Sequence, residues 1–362
     1  MNTILYALLR NELWQEGRID VTLSDEEREG LFADAKKQAV IGLVANALIR
    51  NKAAIGRDGA FKALTLTKQI EASNERINKE LGKFMVFMNK NGVDFRVVKG
   101  QTVAALYPNP LLRCSGDIDF YCNAAFFNLT KNLVERVIGK EVENSSAKHI
   151  EFKINDVQYE LHSKLTEFSY GKHQEYWERI LEKDIRERKC FVRIGDAEVP
   201  VLSPTINALY LFYHIFYHLT IDGIGLRQFC DLALFIDKHH EEIDKGLLDE
   251  HLRQLGIKKA FTAVGYVLVE LLGLKAERFP YGITDRDRRV GKRIAMSVME
   301  DGNWAKDKYT VKHKGLLHSI QTGWICLMQS LKYVDVAPME CLLRMPREGL
   351  FFLRKRFCAV KQ

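Results

Sequence analysis

Apolar residues recur at helical steps through residues 61–90: Ile70, Ile77, Leu81, Phe84, Met85 and Met88 fall on one face. Glu71, Glu75, Arg76, Lys79 and Glu80 lie mostly on the others. Asn91-Gly92 then stops the helix, since glycine takes the left-handed cap without steric cost. Residues 1–91 therefore read as helical. The period next switches from 3.6 to two. Val93-Asp94-Phe95-Arg96-Val97-Val98 alternates apolar with polar and predicts a strand over 93–98, ended by Lys99-Gly100. A short helix follows over 101–106, and Tyr107-Pro108-Asn109-Pro110 is a loop, because each proline restricts the residue before it. The pattern predicts a strand over 117–122 and a helix over 124–138. Two alternating runs, 149–154 and 157–162, are joined by Asn155-Asp156, a turn-forming pair that predicts a hairpin. Short strands are expected near 191–194 and 198–201.

Ser203-Pro204-Thr205 changes the texture again, with a good N-cap followed by a proline tolerated in the first helical turn. Every long segment after 206 has helical character. The fold class expected is therefore α+β: a small mixed β-sheet core flanked by N-terminal and C-terminal helical regions. The domains expected are a helical region over 1–91, the α+β core over 92–202 and a helical domain over 203–362.

Composition narrows the partners only slightly. The net charge of +7 over 362 residues is a mild bias toward anions and leaves nucleic acid possible without indicating it. The seven cysteines are scattered with no C-x-x-C pair, which argues against a disulfide framework or a zinc ribbon and fits a reducing compartment. The N-terminal stretch meets charge at Arg10 and Glu12 and lacks a signal-peptide cleavage pattern. The apolar run 209–219 is interrupted by His214 and His218, well short of the ~20 residues of a membrane span. A cytoplasmic protein without a transmembrane segment is expected.

The chemistry concentrates in Cys114-Ser115-Gly116-Asp117-Ile118-Asp119-Phe120-Tyr121-Cys122. Residues two apart on a strand share a face, so Asp117 and Asp119 project together while Ile118 and Phe120 enter the opposite layer. Two carboxylates that close repel unless a cation intervenes, and hard divalent ions suit them. Glu160, in the run Tyr159-Glu160-Leu161-His162, is placed to supply a third carboxylate from a neighbouring strand. Upstream, Gly100 permits close approach of a phosphate, Lys99 adds a point charge, and Arg113 stands a few residues before the aspartates. Ser115 and Gly116 are small enough to leave room for a nucleotide.

Val98-Lys99-Gly100, Leu106-Tyr107-Pro108, Arg113, Gly116-Asp117-Ile118-Asp119 and Glu160-Leu161-His162 occur in an order that resembles the uncharacterised nucleotidyltransferase-like family of the polymerase-beta superfamily. The resemblance covers roughly residues 30–240 and is best over 93–163. It implies a nucleotidyltransferase core, with Asp117, Asp119 and Glu160 as catalytic metal ligands for Mg²⁺ (or Mn²⁺). Lys99, Gly100, Gln101, Arg113, Ser115 and Gly116 would bind the nucleotide. It implies an NTP substrate, ATP foremost, and an acceptor that the sequence does not identify: a sugar, another small molecule, a protein or an RNA end. Two departures stand out. Gly100 is followed by Gln101 where the superfamily usually has Gly or Ser, and the third carboxylate is Glu where Asp is common. They keep open an alternative: a catalytically weak or inactive nucleotide-binding or regulatory module of the same fold.

Other D-x-D chemistries fit less well. A haloacid-dehalogenase-type phosphatase carries its first Asp at the end of an apolar strand, whereas a loop-like lead-in precedes Asp117. An EF-hand loop needs Gly and Glu where Cys122 and Asn128 stand. His162 shares the face of Glu160 and is a candidate substrate contact; His149 reads as an ordinary surface histidine. His214 and His218 are four apart on an apolar helix but lack the H-E-x-x-H glutamate, so a pocket lining is favoured over zinc. Arg227, four residues before Asp231, is a further pocket candidate or half of a helix ion pair. The basic-aromatic stretch 344–361 is expected to pack on the helical domain, with a membrane-surface helix as the alternative.

Overall fold

A computed structural model describes residues 3–142, 149–221, 223–302, 324 and 326–344. The chain forms two compact units, one of Asn2–Leu165 with Lys183–Asn207, the other of Thr166–Glu182 with Ala208 onward.

The first unit opens with helices α1 (Thr3–Leu13), α2 (Asp25–Lys37), α3 (Ile41–Arg50) and α4 (Gly56–Lys90). Ser24 and Glu27 cap α2 reciprocally, each side chain meeting the other's backbone amide. At 35 residues, α4 is about 50 Å long and forms the spine of the unit. The chain then lays down β1 (Arg96–Val97), the short helix α5 (Gly100–Ala104), a 3-10 turn (Pro110–Leu112), β2 (Asp117–Tyr121), α6 (Ala124–Ile138), β3 (His149–Ile154) and β4 (Val157–His162). The four strands make one mixed sheet in the order β1-β2-β4-β3. β1 runs antiparallel to β2, β2 parallel to β4, and β3 antiparallel to β4. After α7 (Gly171–Glu187), β5 (Cys190–Ile194) and β6 (Ala197–Val201) form a separate hairpin.

The α+β class read from the sequence is the class observed. Asn155 and Asp156 both take positive φ, as a tight hairpin turn requires, and Asn91-Gly92 ends α4 with Gly92 left-handed. The strand expected over 93–98 is shorter than its pattern. Arg96 and Val97 form its ladder pairs and the Val98 amide adds one bond to Asp119, while at its start the Val93 amide is spent on the Met88 carbonyl, closing the end of α4. The helix α7 is an element the sequence reading did not single out.

One face of the sheet is core. Phe84 of α4 packs against Phe120 (ring centroids 4.6 Å), Tyr159 (5.5 Å) and Phe95 (5.6 Å), and Phe152 stacks on Tyr159 at 5.2 Å. Ile118, Leu161, Ile150 and Val134 complete the layer. Burying aromatic rings of this size supplies most of the driving force that pins α4 to the sheet. Their partners in sequence, one residue away, are thereby turned to the other face.

Among the described residues the second unit is built of helices: the greater part of α8 (Pro204–Ile221), then α9 (Leu226–His239), α10 (Lys245–Gln254), α11 (Lys258–Tyr266) and α12 (Asp285–Asp301). Within it Glu340, almost fully buried, accepts hydrogen bonds from the Ser169 amide (2.6 Å) and pairs with His173 Nδ1 (2.8 Å). No described helix is long and apolar enough to cross a membrane. The basic-aromatic stretch lies, beyond Arg344, outside the described residues.

Candidate functional site

Strand parity builds the site. Because Ile118, Phe120, Tyr159 and Leu161 are drawn into the core, Asp117 and Asp119 of β2 share the opposite face with Gln158, Glu160 and His162 of β4. The parallel register sets Asp119 directly beside Glu160, and Asp117 beside Gln158. Asp119, Glu160 and His162 each bring a ligand atom within 4.8 Å of the others, the geometry of a cation site. Asp117 points to this face and is half-buried, but it stands outside that cluster.

Asp119 is the electrostatic centre. Only 4% of it is exposed. Its Oδ1 lies 2.9 Å from Lys99 Nζ and 2.8 Å from His162 Nε2, and the same histidine nitrogen is 3.5 Å from Glu160 Oε2. Burial alone would make the Asp119 carboxyl harder to ionise. The Lys99 ammonium and the His162 hydrogen bond outweigh it and hold the group far below the usual carboxylate range. Burial likewise disfavours the charged form of His162, yet its hydrogen bonds to Asp119 and Glu160 win and raise its pKa above the ordinary value. The site thus favours a carboxylate with positive charge drawn up to it.

The turn that delivers Lys99 is strained. Lys99 has φ +56° and ψ −148°, and Gly100 follows at φ +48°. Lysine has no intrinsic reason to adopt a positive φ, and such positions cost of order 1–3 kcal/mol. The Val98 amide bonds to the Asp119 carbonyl at 2.9 Å, tying this turn to the strand that carries the aspartates. A Cβ at position 100 would meet the Asp117 carbonyl at 3.5 Å, so backbone conformation more than space calls for glycine there. Gln101 does not face the turn's open side. Its amide nitrogen donates to Asn78 Oδ1 of α4, and the side chain is buried.

Arg113 is also buried; its Nη1 donates to Ser115 Oγ at 3.0 Å, while Asn74 of α4 donates to the Arg113 carbonyl at 2.8 Å. These bonds fix the lead-in to β2. Ser115 is half-buried and Gly116 exposed. Lys99, Gly100, Asp119, Glu160 and His162 are brought together. His214, His218 and Arg227 belong to the other unit. There the two histidine rings meet edge-on with centroids 4.6 Å apart, and neither joins a metal-capable group among the described residues.

One grouping was not anticipated. His149 and Glu151 on β3 come within 4.8 Å of Glu160 and form a second metal-capable set beside the first. His149 Nε2 lies 3.1 Å from Glu151 Oε1. The hairpin register pairs His149 with His162 and Glu151 with Glu160. The Asn155-Asp156 turn fixes that register, so counting outward from it would have found the set.

The donor set suits a divalent ion: carboxylate oxygens from two adjacent strands and one imidazole nitrogen, with Asp119 ionised under all ordinary conditions. Asp119, Glu160 and His162 are the residues that would hold it.

No curated protein matches this chain. Among solved structures it is similar to an antigenic nucleotidyltransferase-like protein from Paracoccidioides brasiliensis, at 14% identity and a TM-score of 0.33, covering 56% of this chain and 94% of that one. A family profile matches residues 24–273, more than half of the chain, and the chain therefore belongs to the family described as uncharacterised nucleotidyltransferases.

Proposed function

We propose that the protein transfers a nucleoside monophosphate from an NTP, ATP foremost, to a hydroxyl acceptor in a Mg²⁺- or Mn²⁺-dependent reaction. The observation that carries this reading is the convergence of Asp119, Glu160 and His162 beside the Lys99-Gly100 turn. In the reaction the acceptor oxygen attacks the α-phosphorus, the bond from that phosphorus to the bridging oxygen breaks, and pyrophosphate leaves. The divalent ion, when bound, neutralises charge on the phosphates and lowers the cost of ionising the acceptor hydroxyl.

The chain's own residues do the rest. Asp119, locked by burial, fixes the position of the cation site, and Asp117, on the same face, extends the carboxylate wall toward the incoming nucleotide. Glu160 is the less buried of the two carboxylates in the cluster and is the group to receive the acceptor proton. His162 orients both carboxylates from between them. Gly100 leaves the turn bare of side chain where the triphosphate passes, and Lys99 supplies a positive charge to its β- and γ-phosphates. Arg113 holds the Ser115-Gly116 lead-in that leaves room for the nucleotide.

The test is incubation with α-³²P-labelled ATP, CTP, GTP and UTP, Mg²⁺ and a panel of sugars, small alcohols, proteins and RNA. Pyrophosphate release and acceptor labelling that vanish in Asp119→Asn and Glu160→Gln support the reading. Tight binding of Mg-NTP with no pyrophosphate released would sink it in favour of the regulatory module.

A further inference from the structure

Lys99 sits where that chemistry would not leave it during turnover. Its Nζ is 2.9 Å from Asp119 Oδ1, on the same oxygen that His162 Nε2 reaches at 2.8 Å. Asp119 belongs to the metal-capable set, and its Oδ1 is already taken by the Lys99 ammonium and the His162 imidazole, on a side chain only 5% exposed. The Lys99 side chain itself is 15% exposed, so the ammonium is folded inward rather than held out to solvent. The strained backbone at Lys99, φ +56°, starts the side chain from the turn bordering the aspartate strand, and the Val98 amide tethers that turn to Asp119's own carbonyl.

We propose that Lys99 is a resident counter-ion that occupies the cation site of the empty protein and makes metal entry wait for the nucleotide. The inference rests on the reading of this face as a nucleotidyl-transfer site. A divalent ion approaching Asp119 must displace the ammonium or sit on the same carboxylate beside it, and two like charges that close repel strongly in a buried setting. The ammonium leaves readily only if another anion receives it. The β- and γ-phosphates of an incoming NTP are that anion, since Lys99 adjoins the glycine of the phosphate turn. Metal alone therefore binds weakly, nucleotide draws Lys99 off Asp119, and each ligand strengthens the other by the same factor, as linkage requires. Lys99 acts on the metal through Asp119 and is in that respect a positioning residue.

The experiment measures Mn²⁺ uptake by electron paramagnetic resonance, with and without ATP, in the wild type, Lys99→Met and Lys99→Arg. Removing the ammonium is expected to tighten Mn²⁺ binding without nucleotide by tenfold or more. ATP should then tighten Mn²⁺ binding much less in Lys99→Met than in the wild type, while Lys99→Arg, which keeps the charge, behaves as the wild type. A merely structural lysine would weaken metal binding on removal, the opposite sign. Lys99→Gly, which suits the left-handed backbone, gives the same readout if the methionine variant does not fold. Wild type and variant binding Mn²⁺ alone within threefold of each other would overturn the counter-ion while leaving the cation site intact. Absence of Mn²⁺ uptake in every protein, with or without ATP, would overturn the site itself and this inference with it.

Discussion

Asp119→Asn removes the buried negative charge that the Lys99 ammonium and the His162 imidazole share. Lys99 and His162 side chains are 15% and 10% exposed, so neither regains full hydration when the carboxylate goes. Breaking a buried pair by deleting one partner costs about 3–5 kcal/mol. Asparagine keeps a carbonyl oxygen in place and returns roughly 1 kcal/mol through one neutral hydrogen bond. The net expectation is about 3 kcal/mol, in the unit that carries the sheet. Hydrogen exchange followed by mass spectrometry, in chelator, reads this locally. Peptides covering β2 and β4 should exchange roughly 150-fold faster at pH 6, since 1.36 kcal/mol is a factor of ten. The penalty should shrink as pH rises and His162 in the variant gives up its proton. A change of less than threefold at pH 6 would refute the claim that this carboxylate is the electrostatic anchor of the sheet face.

The same ionisations set a pH window for the unliganded protein. Asp119, held below its usual pKa, lends stability that is present above about pH 4 and is lost as pH falls toward its folded value. His162, held above its usual value, lends stability that is full below about pH 6.5 and lost as pH rises through the raised value. Protection of β2 and β4 relative to the intrinsic exchange rate should therefore be greatest between those limits, and a flat protection profile would contradict it. At the strained turn, Lys99→Gly should be more stable than Lys99→Ala by about 1 kcal/mol, because both lose the ion pair and only alanine keeps a Cβ at positive φ; equal urea midpoints would show that the turn is relaxed. Cys122 is buried with its thiol pushed up to about 12, so iodoacetamide at pH 8 should leave it unmodified in the folded protein, as peptide mapping would report. Phe84→Ala should cost about 3–5 kcal/mol by emptying the space between Phe120, Tyr159 and Phe95, and a loss under 1 kcal/mol in β2 exchange would show the face to be repacked.

Much of the site was legible because strand parity is a local rule. Asp117, Asp119, Glu160 and His162 fall on one face as soon as the alternation is read, and the apolar neighbours Ile118, Phe120, Tyr159 and Leu161 say which face is core. The end of α4 and the hairpin turn were legible because they too are local: Asn91-Gly92 and Asn155-Asp156 encode their own backbone conformations. The strand over 93–98 misled because alternation records which residues are buried, not which amides find partners. The amide of Val93 had already been claimed by α4.

The sequence by itself determined the helical run of 61–90, the hairpin, the faces of the strands and the identity of the acidic wall, since each depends on side chains within a few residues. Only the tertiary structure decided which strands neighbour one another. The parallel pairing of β2 with β4 sets Asp119 rather than Asp117 beside Glu160, and the hairpin adds His149 and Glu151 to the same face. Tertiary structure also sent Gln101 into α4 and Lys99 onto Asp119. Those choices turn on distances between groups tens of residues apart, where burial strengthens charge. A one-dimensional pattern carries no record of them.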